Sequence, residues 1–509
     1  EHWWGVFAPL YALRSPNNGG CGNLGDARRL LEWIGSLGGQ ILMTLPLFAT
    51  YLDEPFEPSP YSPVSRLFWN EIFIDTAQVP ESHNVARDAF ASLRNTDLVE
   101  YASVAAAKRA VLEDSLITLE RTGGNRWEAF RTFERGAAGD YAAFRANVER
   151  RGTGWRQWPA PERAGKVPLG GPAARYHAYA QWLMTEQLSS LSGLDAGLAI
   201  DLPLGVHPEG YDTWRFPKMF AYGVSAGAPP DAFFSKGQTW GFPPVHPQRM
   251  RESGYAYFID AMRTAFQHAR ALRMDHIMGI HRLYWVPDGH EAVDGTYLTY
   301  PADELYAILA LESHRARALI VGEDLGTVPP MVRPAMGRHG IHRTFVLQEE
   351  LHEDREPALP RPVKASFATI NTHDMPTFSS FWRGSDIADR VSLGLLDETE
   401  AADEAKRRQT KREALVEQLR AEGFLAADGD DEADVLIAVL GWLAASSAAA
   451  VVPSLEDFWL ETASQNTPGT RNDRPNWRRK ASHDLESVFA LPEVSTALQS
   501  ITRHRGGAR

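Results

Sequence analysis

One cysteine, Cys21, occurs in 509 residues. A single thiol cannot close an intramolecular disulfide or build a multi-cysteine zinc site, and it suits a reducing cytosol. No run approaches the ~18 uninterrupted apolar residues of a membrane-spanning helix, so no membrane partner is expected. Basic excess is also missing: 52 Lys and Arg stand against 65 Asp and Glu, a formal charge of −13. Such a chain has little with which to neutralise phosphates, and no nucleic-acid partner is expected. The first twenty residues lack a basic region ahead of their apolar stretch, which makes them a poor signal peptide. The chain starts with Glu1 rather than Met, so its N-terminus is expected to be trimmed, processed or truncated. Internal repeats and low-complexity linkers are absent, and 44% apolar with 23% charged residues is a globular balance. Nothing in the sequence specifies an oligomeric state.

What is present is alternation. Eight strand-like runs occupy residues 5–13, 39–47, 197–201, 271–275, 318–324, 343–348, 365–374 and 448–457. Helix-compatible stretches lie between most of them, among them 26–37, 257–270 and 301–315. Strands alternating with helices imply a parallel sheet, and eight units predict an α/β protein of the (β/α)₈ TIM-barrel class. The early strands are read without a dinucleotide-binding glycine fingerprint, which disfavours an open doubly wound sheet. One catalytic domain is expected over 1–509. About 150 residues separate the second run from the third, far more than a crossover helix needs. Residues 76–190 therefore read as a mainly helical insertion. Residues 203–250, rich in aromatics, Pro and Gly, read as a loop insertion over the barrel mouth. Residues 399–435 are charged on nearly every turn and predict a solvated helical face. About 55 residues follow the last run, too few for a C-terminal β-sandwich of ~100 residues.

Four of the runs end in an acid: Asp201, Asp275, Glu323 and Asp374. The carboxyl ends of barrel strands converge on one mouth, where barrel enzymes place their catalysts. Carboxylates gathered there repel and shift one another's pKa. Each could instead cap a following helix or pair with an Arg. Among catalytic readings, a retaining glycosidase or transglycosylase uses one carboxylate as nucleophile and one carboxylic acid as proton donor. A Mg²⁺-dependent enolase-type barrel uses such acids as metal ligands beside a Lys or His base. A glycan-binding protein without turnover is a third possibility. Aromatics at the mouth (Tyr61, Phe68, Trp69, Trp214, Phe216, Tyr222, Phe233, Trp240 and Phe242) suit the flat faces of sugars. No strand end supplies a clear Lys base. Both observations favour the sugar chemistry.

Six blocks carry a resemblance to a known family: residues 59–75 (SPYSPVSRLFWNEIFID), 231–244 (DAFFSKGQTWGFPP), 271–287 (ALRMDHIMGIHRLYWVP), 321–330 (VGEDLGTVPP), 371–377 (NTHDMPT) and 465–480 (QNTPGTRNDRPNWRRK). Together and in this order they resemble the amylomaltases, bacterial 4-α-glucanotransferases of glycoside hydrolase family 77. The likeness covers the chain apart from the helical insertion. It implies transfer of α-1,4-glucan segments between maltooligosaccharides or to glucose, with hydrolysis of the same glucans as the alternative outcome. It implies no cofactor and no metal. Asp275 matches the nucleophile, Glu323 the general acid/base, and Asp374 the carboxylate that grips sugar hydroxyls and stabilises the transition state. Arg273, two residues before Asp275 on the same side of the strand, would keep that carboxylate ionised. Tyr61, Asp201, Gln238, Trp240, His276 and Asn466 fall on positions that line the donor site in the family, and His373 stands beside Asp374 as a further substrate-binding residue. Asp231 and Phe233 head the loop that would arch over the acceptor glucan, and Pro468 shapes the turn that presents Asn466. Asp324 is expected to cap the next helix.

Overall fold

The computed structural model describes residues 2–53, 56, 58–82, 87–230, 236–429, 431–470 and 473–505. In chain order its strands are β1 (Trp3–Phe7), β2 (Ile41–Met43), β3 (Gly197–Leu202), β4 (Val224–Ala228), β5 (Gln238–Thr239), β6 (Ala269–Met274), β7 (Arg282–Pro287), β8 (Thr296–Thr299), β9 (Leu319–Gly322), β10 (His342–Val346), β11 (Ser366–Thr369) and β12 (Ala450–Val451). Eight of these close a barrel in the order β1-β12-β11-β10-β9-β6-β3-β2, every neighbouring pair parallel. Each barrel strand overlaps one of the eight runs marked in the sequence, and the fold is the (β/α)₈ barrel that they predict.

Side chains alternate across each strand. Ile41, Ala199, Ala271, Val321, Phe367 and Ala450 pack together and fill the barrel. Their neighbours Leu42, Leu198, Ile200, Leu272, Ile320, Ala368 and Val451 join the larger core between strands and helices. β1, β2 and β12 are shorter than their apolar runs, each of which a proline punctuates. Pro9, Pro46 and Pro453 offer no N–H to a ladder. The chain beyond stays apolar because it is buried in turns at the mouth, Leu10–Ala12 after β1 and Leu455–Trp459 after β12.

Gly5 of β1 lies opposite Ile41 of β2. A Cβ there would come within 1.9 Å of the Ile41 carbonyl oxygen, which is backbone and cannot move aside. Gly5→Ala is expected to destabilise the barrel by about 3 kcal/mol or more. Urea denaturation checks this, and an unchanged midpoint would refute the close approach.

Gly20, Gly22 and Gly25 do follow β1 with Gly-x-Gly-x-x-Gly spacing and lead into α1 (Leu24–Ser36), a correction to the sequence expectation. Here the glycines serve packing. A Cβ on Gly22 would meet the Leu10 carbonyl oxygen at 2.0 Å. The helix N-terminus is closed by its own capping box, in which Asn23 and Asp26 exchange side-chain-to-backbone bonds of 3.1 and 3.0 Å. Asp26, not a phosphate, meets the positive end of the dipole.

Between β2 and β3 the chain forms α2 (Arg87–Arg94), α3 (Tyr101–Thr122), α4 (Gly124–Glu134), α5 (Ala138–Arg151), α6 (Ala160–Arg163) and α7 (Pro172–Ser189). The sequence marks 203–250 as loops, but β4 and β5 instead join β7 and β8 in an antiparallel sheet ordered β5-β4-β7-β8. Small residues hid it: β4 reads Val-Ser-Ala-Gly-Ala, with little strand preference. Of the charged stretch 399–435, residues up to 421 lie in one long helix, Glu398–Ala421, started by a capping box of Asp397 and Glu400, whereas its last residues open a separate and mostly buried helix, Glu432–Ala444. After β12 come the turn Leu455–Trp459 and the helices Leu485–Ala490 and Pro492–Arg505. Among the described residues no helix is long and apolar enough to cross a membrane.

Candidate active site

The period of two along the strands builds the site. Ala199 and Asp201 of β3 stand opposite Ala271 and Arg273 of β6. The next position on that side of β6 is Asp275. β6 and β9 pair through Met274 and Gly322, so Glu323 follows Val321 on the inward face, level with Asp275. The ladders continue one step beyond the strands, with Asp275 N donating to Leu202 O at 3.2 Å and Glu323 N to Met274 O at 2.9 Å. Three acids and one arginine thus line the carboxyl end of the barrel.

Arg273 ties two of them together. Its Nη1 donates to both oxygens of Asp201 at 2.8 Å and to Asp275 Oδ1 at 3.0 Å. Asp201 and Arg273 are buried, whereas the Asp275 side chain keeps a quarter of its surface open. Burial lifts Asp201 above the ordinary carboxylate range, with Arg273 pulling the other way.

Glu323 sits in a different environment. Its Oε2 accepts from His276 N at 2.9 Å and its Oε1 from Leu325 N at 2.8 Å. Burial, reinforced by the charge of Asp275, lifts its carboxyl to about 7 against the pull of Arg273 and of the two N–H groups. His276 adopts φ +47°, a left-handed conformation unusual for a residue with a side chain. In this conformation the His276 N–H points at the Glu323 carboxyl. Trp240 meets the His276 ring edge-to-face at 5.2 Å, and its Nε1 donates to Gln238 Oε1 at 2.8 Å.

The opposite wall is built on the loop after β11. Asp374 Oδ1 accepts from Asn466 Nδ2 at 2.7 Å, and Oδ2 lies 3.3 Å from His373 Nε2. Asp374 is ringed by the mouth yet keeps 48% of its side chain open to solvent. Its surroundings push the carboxyl upward by desolvation, but His373, Asn466 and Arg273 outweigh that and hold it at about 2. Tyr61 OH donates to Asp201 Oδ2 at 2.7 Å and meets His373 Nε2 at 2.8 Å, which links the two walls.

Tyr61, Asp201, Gln238, Trp240, Arg273, Asp275, His276, Glu323, His373, Asp374 and Asn466 therefore form one contact-linked cluster. Pro468 lies in the turn behind Asn466, ahead of Gly469 at φ +87°. Asp231 and Phe233 lie outside the described residues. Trp477 went unassigned in the sequence although it stands inside the 465–480 block. Its ring is 5.7 Å from those of both Tyr61 and His373, themselves stacked at 5.2 Å. Phe7 of β1 adds a fourth ring, 6.1 Å from His373.

Asp324 does not cap a helix. The following helix, Val332–Arg338, is entered from Met331. Asp324 is fully buried and accepts from Arg333 Nε, Arg343 Nε and Thr344 N, each at 2.9 Å. A buried carboxylate with two guanidinium partners fixes the backbone that carries Glu323. Asp324→Asn is expected to lower stability by about 2 kcal/mol, because two arginines lose their counter-charge. Arg333 is half solvated, which keeps the figure below that of a fully buried triad. A shifted midpoint in urea denaturation checks it, and no shift would refute it.

Among the described residues no group of three or more His, Cys, Asp and Glu side chains is placed to hold a metal ion. The positive charge between Asp201 and Asp275 is the Arg273 guanidinium.

The pattern of glycoside hydrolase family 77, described as 4-alpha-glucanotransferase, matches residues 8–485. The 4-alpha-glucanotransferase of Mycobacterium tuberculosis is 35% identical over 98% of this chain and 74% of its own length. That of Haemophilus influenzae is 32% identical over 99% of this chain and 78% of its own. The amylomaltase structure from Corynebacterium glutamicum superposes with a TM-score of 0.87 at 30% identity, over 98% of this chain and 75% of that one. With the family pattern running from just after β1 to beyond β12, the chain belongs to the 4-alpha-glucanotransferase family.

Proposed function

We propose that the protein transfers α-1,4-linked glucan segments between maltooligosaccharides, or to glucose, by a retaining double displacement. In the first step Asp275 attacks the anomeric carbon of the donor sugar. Glu323 gives its proton to the glycosidic oxygen as that bond breaks, and the shortened glucan leaves with a free 4-hydroxyl. The glucosyl group is then an ester of Asp275. In the second step Glu323, now a carboxylate, takes the proton from the 4-hydroxyl of an acceptor, whose oxygen displaces Asp275 and restores the α configuration.

The observation that carries this proposal is the contrast between two adjacent acids. Burial lifts Glu323 to about 7, so that near neutrality a large share keeps its proton, whereas Asp275 is gripped by Arg273 at 3.0 Å. A carboxyl that keeps its proton beside one in direct contact with a guanidinium suits an acid and a nucleophile. Neighbouring strands lie about 4.8 Å apart. Acids at matched strand ends therefore favour the ~5–5.5 Å separation of a retaining pair over the ~6.5–9.5 Å of an inverting one. Asp374, held ionised by His373 and Asn466, is the group offered to sugar hydroxyls. The rings of Tyr61, Trp477 and Trp240 supply flat apolar walls.

Transfer requires that a sugar hydroxyl outcompete water at ~55 M, which positioning can achieve through large effective molarities. Gln238 of β5 and Trp240, one residue beyond that strand and against the His276 ring, are suited to hold the glucan in place at the mouth. The test is to incubate the protein with maltotriose and compare chromatography with a reducing-end assay. The expected result is a ladder of longer and shorter maltooligosaccharides plus glucose, with little net gain in reducing ends. Reducing ends rising in step with maltotriose loss, with no longer products, would make it a hydrolase.

Because Arg273 occupies the place between the acids, turnover is expected to survive exhaustive chelation. Activity abolished by chelator and restored by Mg²⁺ would favour the enolase-type chemistry instead. The single buried cysteine fits a site of action in the cytoplasm.

A further inference from the structure

The eighth strand-like run also ends in acids, Glu456 and Asp457, and neither belongs to the mouth cluster. They lie in the turn after β12, exposed by only 5% and 0%. Asp457 Oδ2 accepts from Asn371 Nδ2 at 2.9 Å, and Oδ1 accepts from Phe378 N at 2.8 Å. These two donors bracket the loop that contains His373 and Asp374. Glu456 Oε2 accepts from Gln465 Nε2 at 2.9 Å and from Arg479 Nη2 at 2.7 Å. Gln465 in turn receives Tyr11 OH on its Oε1 at 2.7 Å and Trp477 N on its carbonyl oxygen at 3.0 Å. The next residue is Asn466, which reaches across to Asp374.

We propose that Glu456 and Asp457 are positioning residues that fix Asp374, by fastening from below the two loops that meet at it. The proposal rests on the role given above to Asp374. A fully buried site is filled more cheaply by an apolar side chain than by a carboxyl. A carboxyl, however, has two acceptor oxygens and can close a loop at both ends, which no apolar group can do. Burial lifts Asp457 to about 7, tempered by the Phe378 and Asn371 donors, so this tie is maintained at a cost. Adjacent acids on one turn pin adjacent loops, and the Asn466–Asp374 bond is where the two fastenings join.

Two measurements on the whole chain test this. Asp457→Asn keeps the volume but leaves one acceptor for two donors. Hydrogen exchange over residues 371–378, read by mass spectrometry without any glucan, is expected to quicken by about tenfold. Unchanged exchange overturns the proposal. Calorimetric titration with maltotriose in a Glu323→Gln background then reads a double-mutant cycle. Asp374→Ala is expected to weaken binding about tenfold and Asp457→Asn about fivefold, with the pair no weaker than Asp374→Ala alone. Losses that multiply would show that Asp457 acts elsewhere and overturn the proposal. An Asp374→Ala protein that binds like its parent would overturn the role of Asp374, and hydrogen exchange would then decide the anchoring alone. Asn371→Ala cuts the same tie from the loop side and is held to the same outcomes if Asp457→Asn does not fold.

Discussion

Asp275→Asn is expected to lower kcat for maltotriose disproportionation by about ten-thousand-fold or more, while the protein remains folded and still binds maltotriose. The amide matches the carboxylate in shape but cannot form the glucosyl ester on which both half-reactions depend. Folding should tolerate the change because Asp275 lies at a strand end with a quarter of its side chain open. Arg273 keeps its two contacts of 2.8 Å to Asp201. The loss belongs in kcat, since Asp374, Tyr61 and Trp240 still meet the sugar. Steady-state kinetics beside a calorimetric binding curve separates the two terms. A protein with unchanged turnover would remove Asp275 from the mechanism.

Glu323→Gln is expected to cost about a thousand-fold in kcat/KM with maltotriose, the upper range for loss of general acid catalysis, because the leaving sugar then departs without a proton. The pH profile gives a sharper readout. Bond cleavage needs the protonated form, so kcat/KM should fall as pH rises through about 7, the value to which burial lifts this carboxyl. A donor whose leaving group needs no proton, such as α-maltotriosyl fluoride, should lose that alkaline limb in the first step. Stability carries the same signature with a definite sign. The folded state holds the Glu323 proton up to about 7, whereas the ordinary value is 4.5. Between those values the folded state binds more protons than the unfolded one, so this group's contribution to stability falls as pH rises through the window. Glu323→Gln removes that pH-dependent loss, so whatever the amide costs by meeting the His276 and Leu325 N–H groups with one oxygen, the melting temperature of the variant relative to its parent is expected to rise between pH 4 and pH 8. A difference that is the same at both pH values would contradict the buried, proton-holding carboxyl.

The barrel was legible because eight apolar runs with acids at five of their ends alternate with helical stretches. The alternation that puts Ala199, Ala271 and Val321 inside the barrel also puts Asp201, Arg273, Asp275 and Glu323 at its mouth. The sheet of β4, β5, β7 and β8 was not legible, since Val-Ser-Ala-Gly-Ala carries neither bulk nor alternation. The glycine pattern at 20–25 looked absent and was present, and only the buried capping box of α1 shows that it serves packing. Asp324 reads as a cap because helix N-termini favour Asp. Its partners Arg333 and Arg343 come from later in the chain, and no local pattern announces them. Trp477 sat in a recognised block but needed the fold to bring it against Tyr61 and His373. Long-range contacts of this kind decide function, and a linear pattern gives them only when several fall on strand ends.

The central claim is a covalent glucosyl intermediate on Asp275 with Glu323 as its acid and base. Glu323→Gln incubated with α-maltotriosyl fluoride tests it most directly. Fluoride leaves without a proton, so the first step proceeds, whereas the second lacks its base and the intermediate should accumulate. Mass spectrometry of the quenched protein should then show one added maltotriosyl group, and peptide mapping should place it on Asp275. A maltotriosyl group on any other residue, or turnover without an adduct to a product of inverted configuration, would contradict the mechanism.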